Sequence, residues 1–399
     1  MSRNITPSLR FPEFKEPWAE EHLDFFFSSS RAKGRDGLPT LSVTLDRGLI
    51  DRAELDRKME TNLGPDEHLL VREKDIAYNM MRMWQGAFGR SDREGIVSPA
   101  YVVIRPKGTA DSAYFAYAFR RNRSIYLFWA YSYGITNDRL RLYADDFLRI
   151  PFRAPKVPEQ QKIAAFLTAV DGRIEQLSRK RALLEEYKKG VMQQLFTQTL
   201  RFQDDHGHDF PDWEEKKLSE IASIFDGTHS TPEYTKTGIP FYSVEHVTNG
   251  QYTKTKFISE EVFGKENKRV RLERGDILMT RIGDIGTSVH INWDVKASFY
   301  VSLALIKPRK ALAVSEYVHQ AIGSRDFQRE LWQRTIHSAF PIKINLGEIG
   351  ECKIRLPSLP EQTKIAGFLS ALDGKIGAVG EQMRQTQAWK KGLLQQMFV

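Results

Sequence analysis

The stretch VPEQQKIAAFLTAVDGRIEQL, Val157–Leu177, returns as LPEQTKIAGFLSALDGKIGAV at Leu359–Val379. The offset of 202 residues holds without a gap from Pro158 through Phe196, matched by Pro360 through Phe398. Both copies read P-E-Q-x-K-I-A-x-F-L-x-A-x-D-G-x-I, and both close on K-K-G-x-x-Q-Q-x-F. A fixed period of this length is the mark of a duplicated architecture.

Within each copy the apolar residues recur in alternating steps of four and three. Ile163, Leu167, Val170, Ile174, Leu177, Leu184, Val191 and Leu195 follow that frame once Arg181 and Lys188 fill its gaps. Ile365, Leu369, Leu372, Ile376, Val379, Met383, Leu393 and Met397 repeat it, interrupted at Thr386 and Lys390. Such a heptad seam predicts two long helices packed as a coiled coil. Pro158 and Pro360 open the helices where a missing N–H costs nothing, and Glu159 and Glu361 sit in the electropositive first turn. About 37 helical residues at 1.5 Å each make a rod of roughly 55 Å, longer than one duplex turn of about 34–36 Å. Lys188 and Lys390, beside Gly190 and Gly392, mark either a partner-docking feature or a frayed helix end. Asp171-Gly172 and Asp373-Gly374 place a glycine in mid-helix, at a cost of about 1 kcal/mol relative to alanine. The continuity of each rod stays open at those positions.

The sequences preceding the two helices echo one another faintly. FPEFKEPWAEEHL from Phe11 answers FPDWEEKKL from Phe210, EKDIAYN from Glu73 answers RGDILMT from Arg274, and YVVIRPK from Tyr101 answers LALIKPR from Leu303. AYFAYAFR from Ala113 similarly answers EYVHQAIG from Glu316. The chain therefore divides into a first globular domain at 1–156, a first helix at 157–200, a second globular domain at 201–358 and a second helix at 359–399. Short β-rich segments with dense turn signals predict an α+β class for each globular half.

A chain of 399 residues is long enough for two or three cores. Its formal charge of +8 favours an anionic partner, of which nucleic acid is the commonest. The single cysteine, Cys352, excludes a disulfide framework and a four-thiolate zinc site, and reads as a small core residue in a reducing compartment. MSRNITPSLRFPEF carries no secretion signal, and the aromatic run SIYLFWAYSYGITN from Ser124 is too short to span a bilayer. The expectation is a soluble cytoplasmic protein with no membrane partner.

Motifs for catalysis are missing: there is no N-P-P-[FY], no G-x-G-x-x-G, no Walker loop and no H-E-x-x-H. FPDWEEK offers Pro211, Asp212, Glu214 and Lys216, but crams into six residues the acids that a metal-dependent nuclease draws from separate strands. The histidines show no ligand spacing, so no metal site is expected. Candidate DNA contacts come from turn-rich stretches that mix polar, aromatic and basic groups. In the first half these are Ser42, Arg47, Arg82, Trp84, Gln85, Tyr131, Asn137 and Arg139. In the second they are Thr228, His229, Ser230, Thr231, Tyr234, Tyr242, Ser243, His246, Arg281, His337, Lys343 and Asn345. Arg120, Arg121 and Arg123 are candidates for backbone phosphate.

With both P-E-Q-x-K-I-A-x-F-L helices, the FPEF and FPDW openings, GIVSPAYVV, GIPF and GDILMTRIGDIG, the whole chain resembles the specificity subunit of type I restriction-modification systems. The resemblance implies a non-catalytic protein with two target recognition domains held apart by an antiparallel pair of conserved helices related by a pseudo-twofold repeat. Each domain would read one half of a split, asymmetric double-stranded DNA target, with the helix pair fixing the unread gap. The implied partners are two adenine-N6 methyltransferase subunits and two restriction and motor subunits. No cofactor is then expected in this chain, with S-adenosylmethionine, ATP and Mg used by the partners. The competing expectation is a coiled-coil scaffold that never touches DNA.

Overall fold

A computed structural model describes residues 6–55, 63–136 and 139–399. They form two compact units, one of residues 1–177 with 381–399 and the other of residues 178–380. Each unit therefore combines one globular domain with part of both long helices. Those helices, Val157–Phe196 and Leu359–Gln396, are unbroken.

The first unit is built on an antiparallel sheet in the order Phe27–Ser30, Tyr101–Pro106, Ile76–Asn79, Phe88–Arg90. The second repeats that order with Ala222–Asp226, Leu303–Pro308, Ile277–Ile282 and Asp284–His290. Register repeats as well, since Ile76 faces Ile104 and Ile277 faces Ile306. Buried Asp75 pairs with Arg105 at 2.9 Å, as buried Asp276 does with Lys307 at 2.7 Å. A short antiparallel pair joins each globular domain to its helix, Ala19–His22 with Pro151–Ala154 and Glu214–Lys217 with Lys353–Leu356. Both units are thus α+β.

Ile163, Leu167 and Val170, near the start of the first long helix, share the first core with Leu393 and Met397 near the end of the second. In the second unit Val191 and Leu195 share a core with Ile365, Leu369 and Leu372. Early residues of one helix meet late residues of the other, so the pair is antiparallel. Leu177 and Val379 are buried, and Ile174, Leu184, Ile376 and Met383 are half-buried. Most heptad positions are thus at least half-buried, whereas Arg181 is exposed.

The P-E-Q triplet is what fastens a globular domain to a helix. Glu159, buried, accepts two bonds from Arg10 at 2.7 Å each and one from the Trp18 indole at 3.3 Å. Glu361, also buried, accepts from Arg201 at 3.2 and 3.0 Å and from Trp213 at 3.0 Å. Gln160 accepts from the Asp111 amide at 2.7 Å and donates to the carbonyls of Pro155 and Thr109. Gln362 does the same with the Val314 amide at 2.8 Å and the carbonyls of Pro357 and Leu312. Most of these partners are main chain, so the surrounding side chains are free to diverge.

The two irregularities of the repeat explain each other. Lys390 donates to Asp171 at 2.5 Å, and Lys188 donates to Asp373 at 2.7 and 2.8 Å. The globular domains close both nodes, with the Tyr117 hydroxyl donating to Asp171 at 2.7 Å and the Gln320 amide to Asp373 at 2.8 Å. A polar pair at a seam position specifies register at a cost in stability. The lysines are therefore neither frayed nor free for docking, and Gly172 and Gly374 lie within continuous helix.

A further echo, SLRF at Ser8–Phe11 and TLRF at Thr199–Phe202, follows the helix ends in space. The Leu9 amide donates to the Gln396 carbonyl at 3.0 Å, and the Leu200 amide to the Gln194 carbonyl at 3.1 Å. The N-terminal segment thus continues from the second helix as residues 199–202 continue from the first.

Candidate nucleic-acid interface

In the first unit the connection between Ile76–Asn79 and Phe88–Arg90 is a short helical turn closed by Gly86 at φ 89°. It exposes Arg82 and Gln85, while half-buried Trp84 donates its indole N–H to the Met81 carbonyl at 3.0 Å. Helix Asn122–Ala130 packs against this turn, with Ile125 beside Gly86. Its outer face carries Tyr126 and Trp129, 62% and 46% exposed, with ring centroids 5.8 Å apart. Tyr133 and Arg139 are exposed nearby in the chain and Tyr131 is half-buried. Exposed rings beside guanidinium groups offer both stacking faces and charge-assisted donors. Tyr126 and Trp129 lie in the same aromatic run as the candidate Tyr131, and the pairing of their rings on one helix face is what sequence spacing alone does not single out. Arg47 is exposed between strands Leu41–Val43 and Leu49–Asp51, 3.8 Å from Glu54. Asn137 lies outside the described residues.

In the second unit Thr228, Ser230, Thr231 and Tyr234 follow the strand ending at Asp226. Thr228 is half-buried and the other three are exposed. Lys256 lies 4.5 Å over the Tyr234 ring, and Thr231 is 3.4 Å from the Tyr300 hydroxyl. His229 is exposed with Nε2 2.7 Å from Asp226. Half-buried Ser243 donates to Glu245 at 3.2 Å. His337 is exposed against Trp332 at 4.2 Å, and Lys343 and Asn345 are exposed.

Four candidates belong to the scaffold instead. Ser42 is buried and accepts from Arg52 at 3.4 Å. Tyr242 is buried against Tyr252, and buried His246 accepts the Ser243 amide at 2.9 Å. Arg281 is buried and donates to the carbonyls of Val301 at 2.7 Å and Ile344 at 3.2 Å, tying the segment before Asn345 to the sheet. Burial pushes its pKa down. Flanking glycines suggested an open approach to phosphate, whereas backbone carbonyls already take up the guanidinium. Of the arginine run, half-buried Arg121 lies over Phe398, Arg120 lies over Phe88 and is exposed, and Arg123 is exposed as well.

Cys352 is buried in the second core, where burial pushes its thiol up to about 12. In FPDWEEK, Glu214 pairs along its own strand with Lys216 at 2.8 Å, and Asp212 faces Arg201 at 3.9 Å. Among the described residues no three acidic, histidine or cysteine side chains could hold a metal ion, and no helix is long and apolar enough to cross a membrane.

The whole chain has the fold of a specificity subunit. It aligns over 99% of both chains with the S subunit of a type I restriction-modification system from M. genitalium, at a TM-score of 0.63 and 16% identity. A chain from a structure of complex assembly and conformational transition in the type I R-M system aligns over 96% of this chain and 97% of its own, at 0.55 and 18%. Residues 211–383 match the family described as Type I restriction modification DNA specificity domain. The MjaVIII specificity subunit of Methanocaldococcus jannaschii is 24% identical over 82% of this chain and 79% of its own. The EcoBI specificity subunit of Escherichia coli is 23% identical over 65% and 58%. Residues 211–383 thus match the family's DNA specificity domain, and the chain is similar over most of its length to specificity subunits of type I restriction-modification systems.

Proposed function

We propose that this chain reads a bipartite, asymmetric DNA target, one half-site per globular domain, for a type I restriction-modification complex. The observation that carries this is the repeated latch: two divergent domains are mounted through the same Glu-Gln contacts on two matched helices. Identical mounts with different outer surfaces suit two identical partners and two unrelated half-sites. Two adenine-N6 methyltransferase subunits would bind the constant frame, and two restriction and motor subunits would complete the assembly in the cytoplasm. Target adenines would be flipped and methylated by the methyltransferase. S-adenosylmethionine, ATP and Mg belong to those partners, and this chain acts by recognition without catalysis.

Co-expression with a methyltransferase encoded beside it, followed by methylome sequencing, tests the proposal. The expected result is a split N6-methyladenine motif, and exchanging residues 205–350 for those of another specificity subunit should change one half only. Unmethylated DNA despite confirmed partner binding would overturn it and favour a scaffold.

A further inference from the structure

Each globular domain carries the same device, a loop that leaves the body after an exposed tryptophan and returns on a cation. In the second unit Trp332, in helix Arg325–Arg334, stands four residues before Ile336, which pairs with Lys343. In the first, Trp129 stands four residues before Tyr133, which pairs with Arg141. Lys343 and Arg141 are both exposed and lie 202 residues apart, on the period of the repeat. Each loop holds one apolar side chain clear of the protein, Phe340 at 104% exposure and Ile135 at 93%. Single exposed apolar side chains are ordinary. These two differ in recurring on matching loops of domains whose surfaces otherwise diverge.

Main chain braces the Phe340 loop. The Ile336 amide donates to the Lys343 carbonyl at 2.8 Å, the Gly283 amide to the Ile342 carbonyl at 2.8 Å, and the Ile344 amide to the Arg281 carbonyl at 3.0 Å. His337 Nε2 lies 2.9 Å from the Trp332 carbonyl. No acidic residue occurs between Glu330 and Glu348, and both of those accept from Arg334 at 3.3 Å. The carboxylate of Asp284, in the turn beside the loop, accepts the Thr280 hydroxyl at 2.9 Å. The ring therefore stands among cations whose neighbouring carboxylates are already engaged, a surface suited to a polyanion. Both of its faces are bare, and the gain from covering them grows with the apolar area removed from water. Two adjacent base pairs offer flat faces on either side of an inserted side chain, and phenylalanine and isoleucine both serve as such wedges. Stacking tolerates any sequence, so one device suits two domains that read unrelated bases.

We propose that Phe340 is an apolar wedge that enters a base step of the DNA bound by the second domain, with Ile135 as its counterpart in the first. The inference rests on the DNA-reading function proposed above. It is tested with the full complex of this chain and its methyltransferase partner, on a duplex carrying the methylated motif and a pair of fluorescent dyes flanking the second half-site. Energy transfer between the dyes reports the kink, expected at roughly 20–90° for a wedge. Phe340→Ala should reduce the kink and weaken binding about tenfold, because unstacking returns part of what burying the ring gains. The selected motif, the salt slope and the melting temperature should not change, since the ring touches neither phosphate nor core. Phe340→Leu should keep most of the kink. An unkinked wild-type duplex, or a kink that survives Phe340→Ala, would overturn the inference. Relaxation at a single base pair with the kink intact would make Phe340 a base-edge contact, and loss of the methyltransferase from the Phe340→Ala complex would make it a protein contact; either overturns the wedge. A wild-type complex that selects no split motif overturns the proposed function, whereas the other adverse results overturn this inference alone.

Discussion

Replacing Glu361 by alanine should remove the latch of the second unit. The carboxylate is fully buried, and it satisfies two Arg201 nitrogens and the Trp213 indole. Breaking a buried ion pair from one side costs about 3–5 kcal/mol, and a stranded indole N–H adds about 1 kcal/mol or more. Arg201 is not wholly orphaned, because it keeps bonds to the carbonyls of Phe210 and Pro211 at 3.1 and 2.7 Å, and its side chain is 23% exposed. The net loss should therefore fall near the lower end, about 3 kcal/mol. Glu361→Gln, which keeps shape and one acceptor, should lose about half as much. Native-state hydrogen exchange measures this directly, since the opening free energy of peptides from residues 214–356 can be followed within the intact chain. Glu214→Ala, on an exposed ion pair, is the control and should cost far less than Glu361→Ala. A loss for Glu361→Ala no larger than that control would refute the latch.

Three other perturbations have defined signs. Gly172→Ala and Gly374→Ala should each stabilise by about 1 kcal/mol in thermal unfolding, because a Cβ meets nothing within 4 Å at either site; destabilisation would show that the helices are not continuous there. Gly227→Ala should cost about 3 kcal/mol or more, since a new Cβ would strike main chain, whereas exposed Gly264→Ala should not destabilise. Burial lowers the pKa of His290 and His319, whose rings are 6.2 Å apart. Each binds its proton less readily folded than unfolded, so their contribution is full above the unfolded value of about pH 6.5 and is lost as pH falls through the lower folded value. The second unit should weaken by at most about 1.4 kcal/mol per pH unit for each histidine, and His319→Gln should flatten that dependence.

The domain echoes between Ile76 and Ile277, or between Tyr101 and Leu303, were legible because a sheet demands apolar residues in register even where surfaces diverge. The latch residues were visible as P-E-Q letters, but their work was not, since their partners Arg10, Trp18 and Asp111 are 49 or more positions away. Arg281 looked like a surface cation because arginine is usually exposed; only the fold brings up the carbonyls of Val301 and Ile344 that take its donors.

The sequence by itself determined the duplication, the heptad seam and the two-helix, two-domain plan, because periodicity is a local property that survives any folding of the loops. Tertiary structure decided which irregularities pair and which polar residues are interior. Those outcomes depend on burial and on donors meeting acceptors across long loops, and spacing along the chain carries no record of either.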